Sequence, residues 1–258
     1  MTRQIDASRP RTVFVLGAAG GMASGINDVL GDSGHNLICA DLEGTRLLEE
    51  VERLHSKGVA AKALFVDARS AGDVRRTCES LIRDGINVDV FVNAAGVLDR
   101  KSIFEHDDES FSEVIGVNLV GPFNFIRFLS AGMVERGWGR IINVSSIAAQ
   151  NGYPFPSYAS SKAGLANLTR SLVGEFWGTG VTVNNIAPGI VDTPMAERQL
   201  IQEAEWRVPS GHAVKPEEIG NLVSFLISED ARNINGADLV VDGGITSYFQ
   251  VRSRHESR

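Results

Sequence analysis

Seven short runs of apolar, mostly β-branched residues recur along this chain with helical stretches between them, and that alternation limits its fold more than any other feature. The runs are Val13–Leu16, Leu37–Ala40, Ala63–Val66, Val88–Val92, Ile141–Val144, Val181–Ile186 and Leu239–Val241. Strands that alternate with helices build parallel βαβ units, and right-handed crossovers place the helices on both faces of the sheet. The expected fold is therefore α/β: one Rossmann-type, doubly wound domain on a seven-stranded parallel sheet. A chain of 258 residues, 43% of them hydrophobic, is long enough to bury one sizeable core. No repeat, low-complexity tract or linker interrupts the pattern. The domain is expected at 12–244, between a polar extension at 1–11 and a tail at 245–258.

Composition excludes several function classes. A net charge of −7 argues against a nucleic-acid or anionic-membrane partner, and Arg252–Arg258 reads as a solvated basic tail. Cys39 and Cys78 form no C-x-x-C pair, and the five histidines show no ligand spacing, so neither a disulfide scaffold nor a metal site is expected. The N-terminus has no apolar signal core and no run approaches 18 apolar residues, which predicts a cytoplasmic protein.

Ligands of such sheets bind beyond the carboxyl ends of the strands, and the residues with chemical character fall there. After the first run comes Gly17-Ala18-Ala19-Gly20-Gly21-Met22-Ala23 and then a helical stretch. Strand, glycine-rich turn and helix form the setting in which a dinucleotide pyrophosphate rests on a helix N-terminus. Gly17 would make the tight turn and Gly21 would let the phosphates approach the backbone. Asp41 closes the second run, twenty-four residues after Gly17. An acidic residue near this offset bonds the adenosine ribose hydroxyls and repels a 2′-phosphate, which predicts NAD rather than NADP. The alternative for Asp41 is a helix start.

Further along, Pro154, Pro156 and Ser157 mark a helix start just before Tyr158. Tyr158 and Lys162, four apart, would project from one helix face. A phenol titrates near pH 10, and a neighbouring ammonium together with the helix dipole would lower that value towards a usable base. The alternative is an ordinary amphipathic helix. Ser145 and Ser146 stand thirteen and twelve residues before the tyrosine.

In these motifs, in Asn93-Ala94-Ala95-Gly96, Asn118, Pro188-Gly189 with Thr193, and Val241-Asp242-Gly243-Gly244, the chain resembles the short-chain dehydrogenase/reductase family from Thr12 to about Gly244. The resemblance implies the strand order 3-2-1-4-5-6-7 and an oxidoreductase that interconverts a secondary alcohol and a ketone through a nicotinamide cofactor. It implies Tyr158 as general acid/base, a serine bonded to the substrate oxygen, and Lys162 on the nicotinamide ribose. Ser146 matches the local pattern Ser-Ser-Ile-Ala, whereas a spacing of thirteen would select Ser145. Asn118 would bend its helix and hold a water in a relay to Lys162.

On the cofactor side the expected contacts are Gly17, Gly20, Gly21, Met22, Asp41 and Leu42. The resemblance adds Asp67 to the adenine amino group and Ala68 through its backbone, with a helix start as the alternative for Asp67. Asn93, Ala94, Ala95 and Gly96 would lie along the adenosine ribose, with Gly96 allowing a turn. Pro188, Gly189, Ile190 and Thr193 would meet the nicotinamide carboxamide, with helix capping as the alternative for Thr193. Leu16 and Ala23 depart from the family's usual threonine and glycine.

Substrate contacts are expected at Ser146, Gln150, Tyr153 and Tyr158, with walls at Val97, Leu98, Asp99 and the Gln150–Phe155 loop. A lid is expected over about 193–214, with a peripheral helix pair as the alternative; Arg100 and Arg198 are the nearby cations. The competing functions are an NADPH-dependent carbonyl reductase and, in a different class, a catalytically silent nucleotide sensor. Two long helices, Asn118–Glu135 and Tyr158–Trp177, carry more apolar residues than one stripe needs. With the family's four-helix interface this predicts a homotetramer.

Overall fold

A computed structural model describes residues 9–42 and 44–248. Strands β1 (Thr12–Leu16), β2 (Asn36–Asp41), β3 (Ala61–Phe65), β4 (Val90–Asn93), β5 (Gly139–Val144), β6 (Val181–Pro188) and β7 (Asp238–Val241) form one sheet. All pairs are parallel, in the order β3-β2-β1-β4-β5-β6-β7. This is the doubly wound sheet expected from the apolar runs and the order implied by the family resemblance.

Alternation along each strand feeds two cores. Val13 and Val15 pack with Ile26 and Leu30 of α1 (Gly21–Asp32), with Leu47 and Val51 of α2 (Thr45–Ser56), and with Ile219 and Val223 of α8 (Pro216–Ile227). Phe14 and Leu16 face the other layer, with Val74 and Leu81 of α3 (Ala71–Arg83) and Phe125 and Met133 of α5 (Gly121–Arg136). Covering both faces is what makes the central strands apolar throughout. The chain order reverses between β1 and β4, and the crevice that opens there at their carboxyl ends is where such sheets bind ligands.

Strand limits differ from the apolar runs where burial and pairing diverge. Ala61 and Lys62 pair with Leu37 and Ile38, so β3 starts before the run, while Val66 is buried just beyond it. Val88 is likewise buried but precedes β4. Hydrophobicity reports burial, and the hydrogen-bond ladder need not share its limits.

The first long helix begins ten residues before the expected start. Asp107 caps α4 (Asp108–Ile115) by accepting from Ser110 N at 2.7 Å, and a π-helical turn at Gly116–Val120 joins α4 to α5. By length and composition this joined helix could cross a membrane, yet Phe125, Ile126, Leu129 and Met133 are buried against the sheet. The second, α6 (Pro156–Glu175), begins at Pro156 and leaves Trp177 outside it, 88% exposed. Within the expected lid lies one helix, α7 (Arg198–Arg207), and Val191 pairs with Val214 across its base. Residues 1–8 of the extension and 249–258 of the tail, including Arg252–Arg258, fall outside the described residues.

Candidate active site

The site is a groove of about 660 Å³ across the carboxyl ends of the strands, running from Asp41 at one end to Tyr158 and Lys162 at the other. Gly17, at the end of β1, adopts φ +79°, and a Cβ there would lie 2.6 Å from the backbone of Ala95. Only glycine satisfies both conditions. The Gly17 and Ala18 amides donate to Ala40 O at 2.8 and 3.1 Å, fixing the turn to β2. Helix α1 then starts at Gly21 without a side-chain cap, so its first N–H groups face the groove, as an anion site requires. The space beside Gly21, expected to admit phosphates, is taken instead by Pro194, whose Cδ would be 2.6 Å from a Cβ.

At the adenosine end, Asp41 accepts from Ala19 N at 3.0 Å and Leu42 N at 2.8 Å. It therefore braces the glycine turn and does not cap α2, whose N-cap is Gly44. Leu42 stands 55% exposed above it. The Asp67 carboxylate accepts from Arg69 through Nε at 3.0 Å and Nη2 at 2.8 Å, and that pairing holds it below the usual carboxylate range. Arg69 was not among the expected residues, because nothing in its neighbourhood of the sequence marks it; it competes for the carboxylate assigned to adenine. Ser70, not Asp67, caps α3. Ala68, Ala94, Ala95, Gly96 and Met22 line the groove.

Gly96 does not adopt positive φ, so no turn requires it. Its role is spatial: a Cβ there would stand 3.2 Å from Lys162 Nζ and 3.6 Å from Asn118 Oδ1. Asn118 sits fully buried in the π turn, accepting from Val97 N at 2.9 Å and donating to Val97 O at 3.0 Å and Ser161 Oγ at 2.9 Å. The helix is distorted where the asparagine was expected to bend it. Its side chain, however, clamps the end of the β4 loop to α6.

Pro156 opens α6 at a position where its missing N–H is harmless. Tyr158 therefore falls in the first turn and Lys162 one turn later. The Ser146 hydroxyl accepts from Ala148 N at 3.1 Å and lies near enough to the Tyr158 phenol to favour its charged form. Ser145 is the serine of the two that borders the groove, and its Oγ donates to Lys162 O at 3.5 Å. Lys162 Nζ donates to Val144 O at 2.9 Å and lies 5.7 Å from the centre of the Tyr158 ring.

The electrostatics correct one expectation. Burial pushes the Tyr158 phenol up, and Ser146 offsets only part of this. Burial also draws Lys162 down to about 8. The lysine was expected to lower the phenol; instead desolvation moves both groups towards their neutral forms.

On the substrate side, the Tyr153 ring lies 6.1 Å from Tyr158 and 5.5 Å from Phe155, while Gln150 is exposed after the short helix Ile147–Ala149. Thr193 and Met195 border the groove. Thr193 does not cap α7, whose N-cap is Glu197. Pro188 ends β6, and Gly189 abuts Asp242, where a Cβ would lie 2.8 Å from that of the aspartate. Pro188 and Asn93 are buried, while Gly189 and Ile190 are half-buried. A buried chain runs from Asn93: it donates to Asn143 at 3.3 Å, Asn143 to Thr169 at 3.0 Å, and Thr169 to Asn185 at 2.7 Å. These last three were not anticipated, since isolated polar residues inside apolar runs give no sign of partners across the sheet.

A family model described as enoyl-(acyl carrier protein) reductase matches residues 17–246. The chain is 31% identical to 3-oxoacyl-[acyl-carrier-protein] reductase FabG of Thermotoga maritima, covering 91% of this chain and 97% of that protein. It is 34% identical to 3beta-hydroxysteroid dehydrogenase 1 of Eggerthella lenta, covering 94% and 96%. Among solved structures it resembles a gluconate 5-dehydrogenase from Burkholderia cenocepacia in complex with NADP and tartrate, at TM-score 0.88 and 25% identity over 95% of this chain and 99% of that one. A 3-oxoacyl-[acyl-carrier protein] reductase from Brucella melitensis with bound NAD superposes at TM-score 0.85 and 26% identity, covering 94% of each.

Proposed function

The chain belongs to the short-chain dehydrogenase/reductase family, and on that premise we propose that this NAD(P)-dependent oxidoreductase uses NAD to interconvert a secondary alcohol and a ketone. The observation that carries the reaction is Tyr158 beside Lys162 on the groove, with Ser146 placed to favour the charged form of the phenol. An uncapped helix start, a turn with no side chain at Gly17 and the room made by Gly96 fit a dinucleotide along the same groove. The nicotinamide would accept or donate the hydride. The remaining work belongs to this chain. Tyr158 takes the alcohol proton in oxidation and returns it in reduction. Ser146 donates to the substrate oxygen as it becomes a carbonyl. Lys162, fixed by Val144 O, keeps further protons for the ribose hydroxyls, and Asn118 holds the loop against α6. Burial raises the phenol, and the charges that would favour the phenolate are the Lys162 ammonium, retained below about pH 8, and the cationic ring of an oxidised cofactor.

Asp41 supports NAD, because its carboxylate borders the groove and would repel a 2′-phosphate brought to it. Arg46, in the same part of the groove, favours the second reading, an NADPH-dependent carbonyl reductase. A thermal-shift titration separates the two: NAD is expected to stabilise the protein more than NADP at equal concentration. A panel of secondary alcohols and ketones, followed by NADH absorbance, tests the reaction. Cofactor binding without turnover across that panel would favour a silent nucleotide sensor.

We further propose a homotetramer in the cytoplasm. Val120, Phe123 and Val134 stay about two-fifths exposed on one side of the α4–α5 helix, an apolar stripe that the monomer does not cover.

A further inference from the structure

The segment 193–197 crosses the mouth of the groove and is held at both banks. On one bank Pro194 fills the space beside Gly21 at the start of α1. On the other, the Arg100 guanidinium forms an ion pair with Glu197, donates through Nη2 to Met195 O at 3.0 Å, and lies 5.9 Å from the centre of the Phe155 ring. Arg100 follows β4 and Gly21 follows β1, so the strap spans the crevice between those strands, with Thr193 and Met195 against the groove. Among the described residues, the hydrogen bonds that tie 194–197 to anything beyond the strap and α7 come from Arg100.

We propose that Arg100 is a positioning residue that latches this strap over the groove and so limits the exchange of a nicotinamide cofactor. The inference rests on the groove being a nicotinamide site. The latch joins two parts of the protein and touches no groove floor, so it favours the closed strap whether or not the groove is filled. Its removal speeds entry and exit together and leaves their ratio nearly unchanged. A residue that bound the cofactor directly would change exit alone, and one that only supported the fold would change affinity and melting temperature.

Stopped-flow measurement of NADH binding and release tests this on the full-length protein. Arg100→Ala and Glu197→Gln are compared with wild type, and Arg100→Lys, which keeps the charge and a donor, serves as the conservative variant. In Arg100→Ala both rate constants are expected to rise about tenfold, the effect of one charge-assisted hydrogen bond, with Kd within about twofold. Glu197→Gln should shift both in the same direction by less, and Arg100→Lys should restore most of the slowness. Added salt should speed exchange in wild type and leave Arg100→Ala unaffected, because the ion pair is exposed to screening. Unchanged rates in Arg100→Ala, or a change in exit alone, would overturn the latch while leaving the cofactor site standing. Absence of NADH and NADPH binding in wild type would overturn both.

Discussion

Lys162 is enclosed and Tyr158 half-buried, and the low polarity around them sets their behaviour. Burial brings Lys162 to about 8, below its value in an unfolded chain. Between that value and about 10.4 the unfolded chain binds the extra proton, so this group makes stability rise with pH across the window. Below it the folded protein carries a buried ammonium at a cost of about 3 kcal/mol. Lys162→Met is therefore expected to raise Tm at pH 7, with the gain shrinking above pH 8, while abolishing turnover. Melting curves at several pH values check this; a variant less stable than wild type at pH 7 would show that the bond to Val144 O outweighs burial. Tyr158→Phe keeps the ring and removes the proton carrier, so kcat should fall about 10²–10⁴-fold with NAD affinity nearly unchanged. Ser146→Ala should lose more activity than Ser145→Ala, since Ser146 is the serine that favours the charged form of the phenol. The tyrosine and lysine were legible because four residues make one helical turn. Arg69 and the spatial role of Gly96 were not, because their partners are distant in the chain.

At the scale of elements, α6 must hold Tyr158 in register with β5. Thr169 does this from inside, linking Asn143 of β5 to Asn185 of β6. Thr169→Val keeps the shape and leaves buried amides without partners, so a loss of about 1–3 kcal/mol is expected by denaturant unfolding. If kcat also falls while substrate KM holds, the helix has shifted at its catalytic end. A different device seats α1 on α8. A Cβ at Gly25 would lie 2.5 Å from Pro216, and Gly220 stands against Gly25 O. Gly25→Ala must push the helices apart, and about 1–3 kcal/mol of destabilisation is expected from overpacking. Strand and helix identities could be read from periodicity. Their ends could not, because Val66 and Val88 are buried beyond the strand limits, and the Asp107 cap starts a helix inside a polar stretch.

For the whole molecule, the proposed tetramer rests on the exposed stripe of the α4–α5 helix. Light scattering at micromolar concentration is expected to give four times the mass of one chain, 27.8 kDa each. Phe123→Asp places a charge in the middle of the stripe and should lower that mass. A monomer in wild type would mean that the stripe serves something other than self-association.

The alternation of apolar runs and helices was enough for the class of fold, because a sheet buried on both faces needs continuous apolar strands and parallel strands need crossovers. The glycine turn and the tyrosine–lysine pair were likewise local, set within a few residues by backbone geometry. What lay beyond reach were effects that depend on who meets whom across the sheet. Among these are the buried amide chain, the capture of Asp67 by Arg69, Pro194 beside Gly21 and the Arg100 latch. The direction in which burial moves Tyr158 and Lys162 belongs with them, since desolvation depends on everything packed around a group and no spacing in the chain records that.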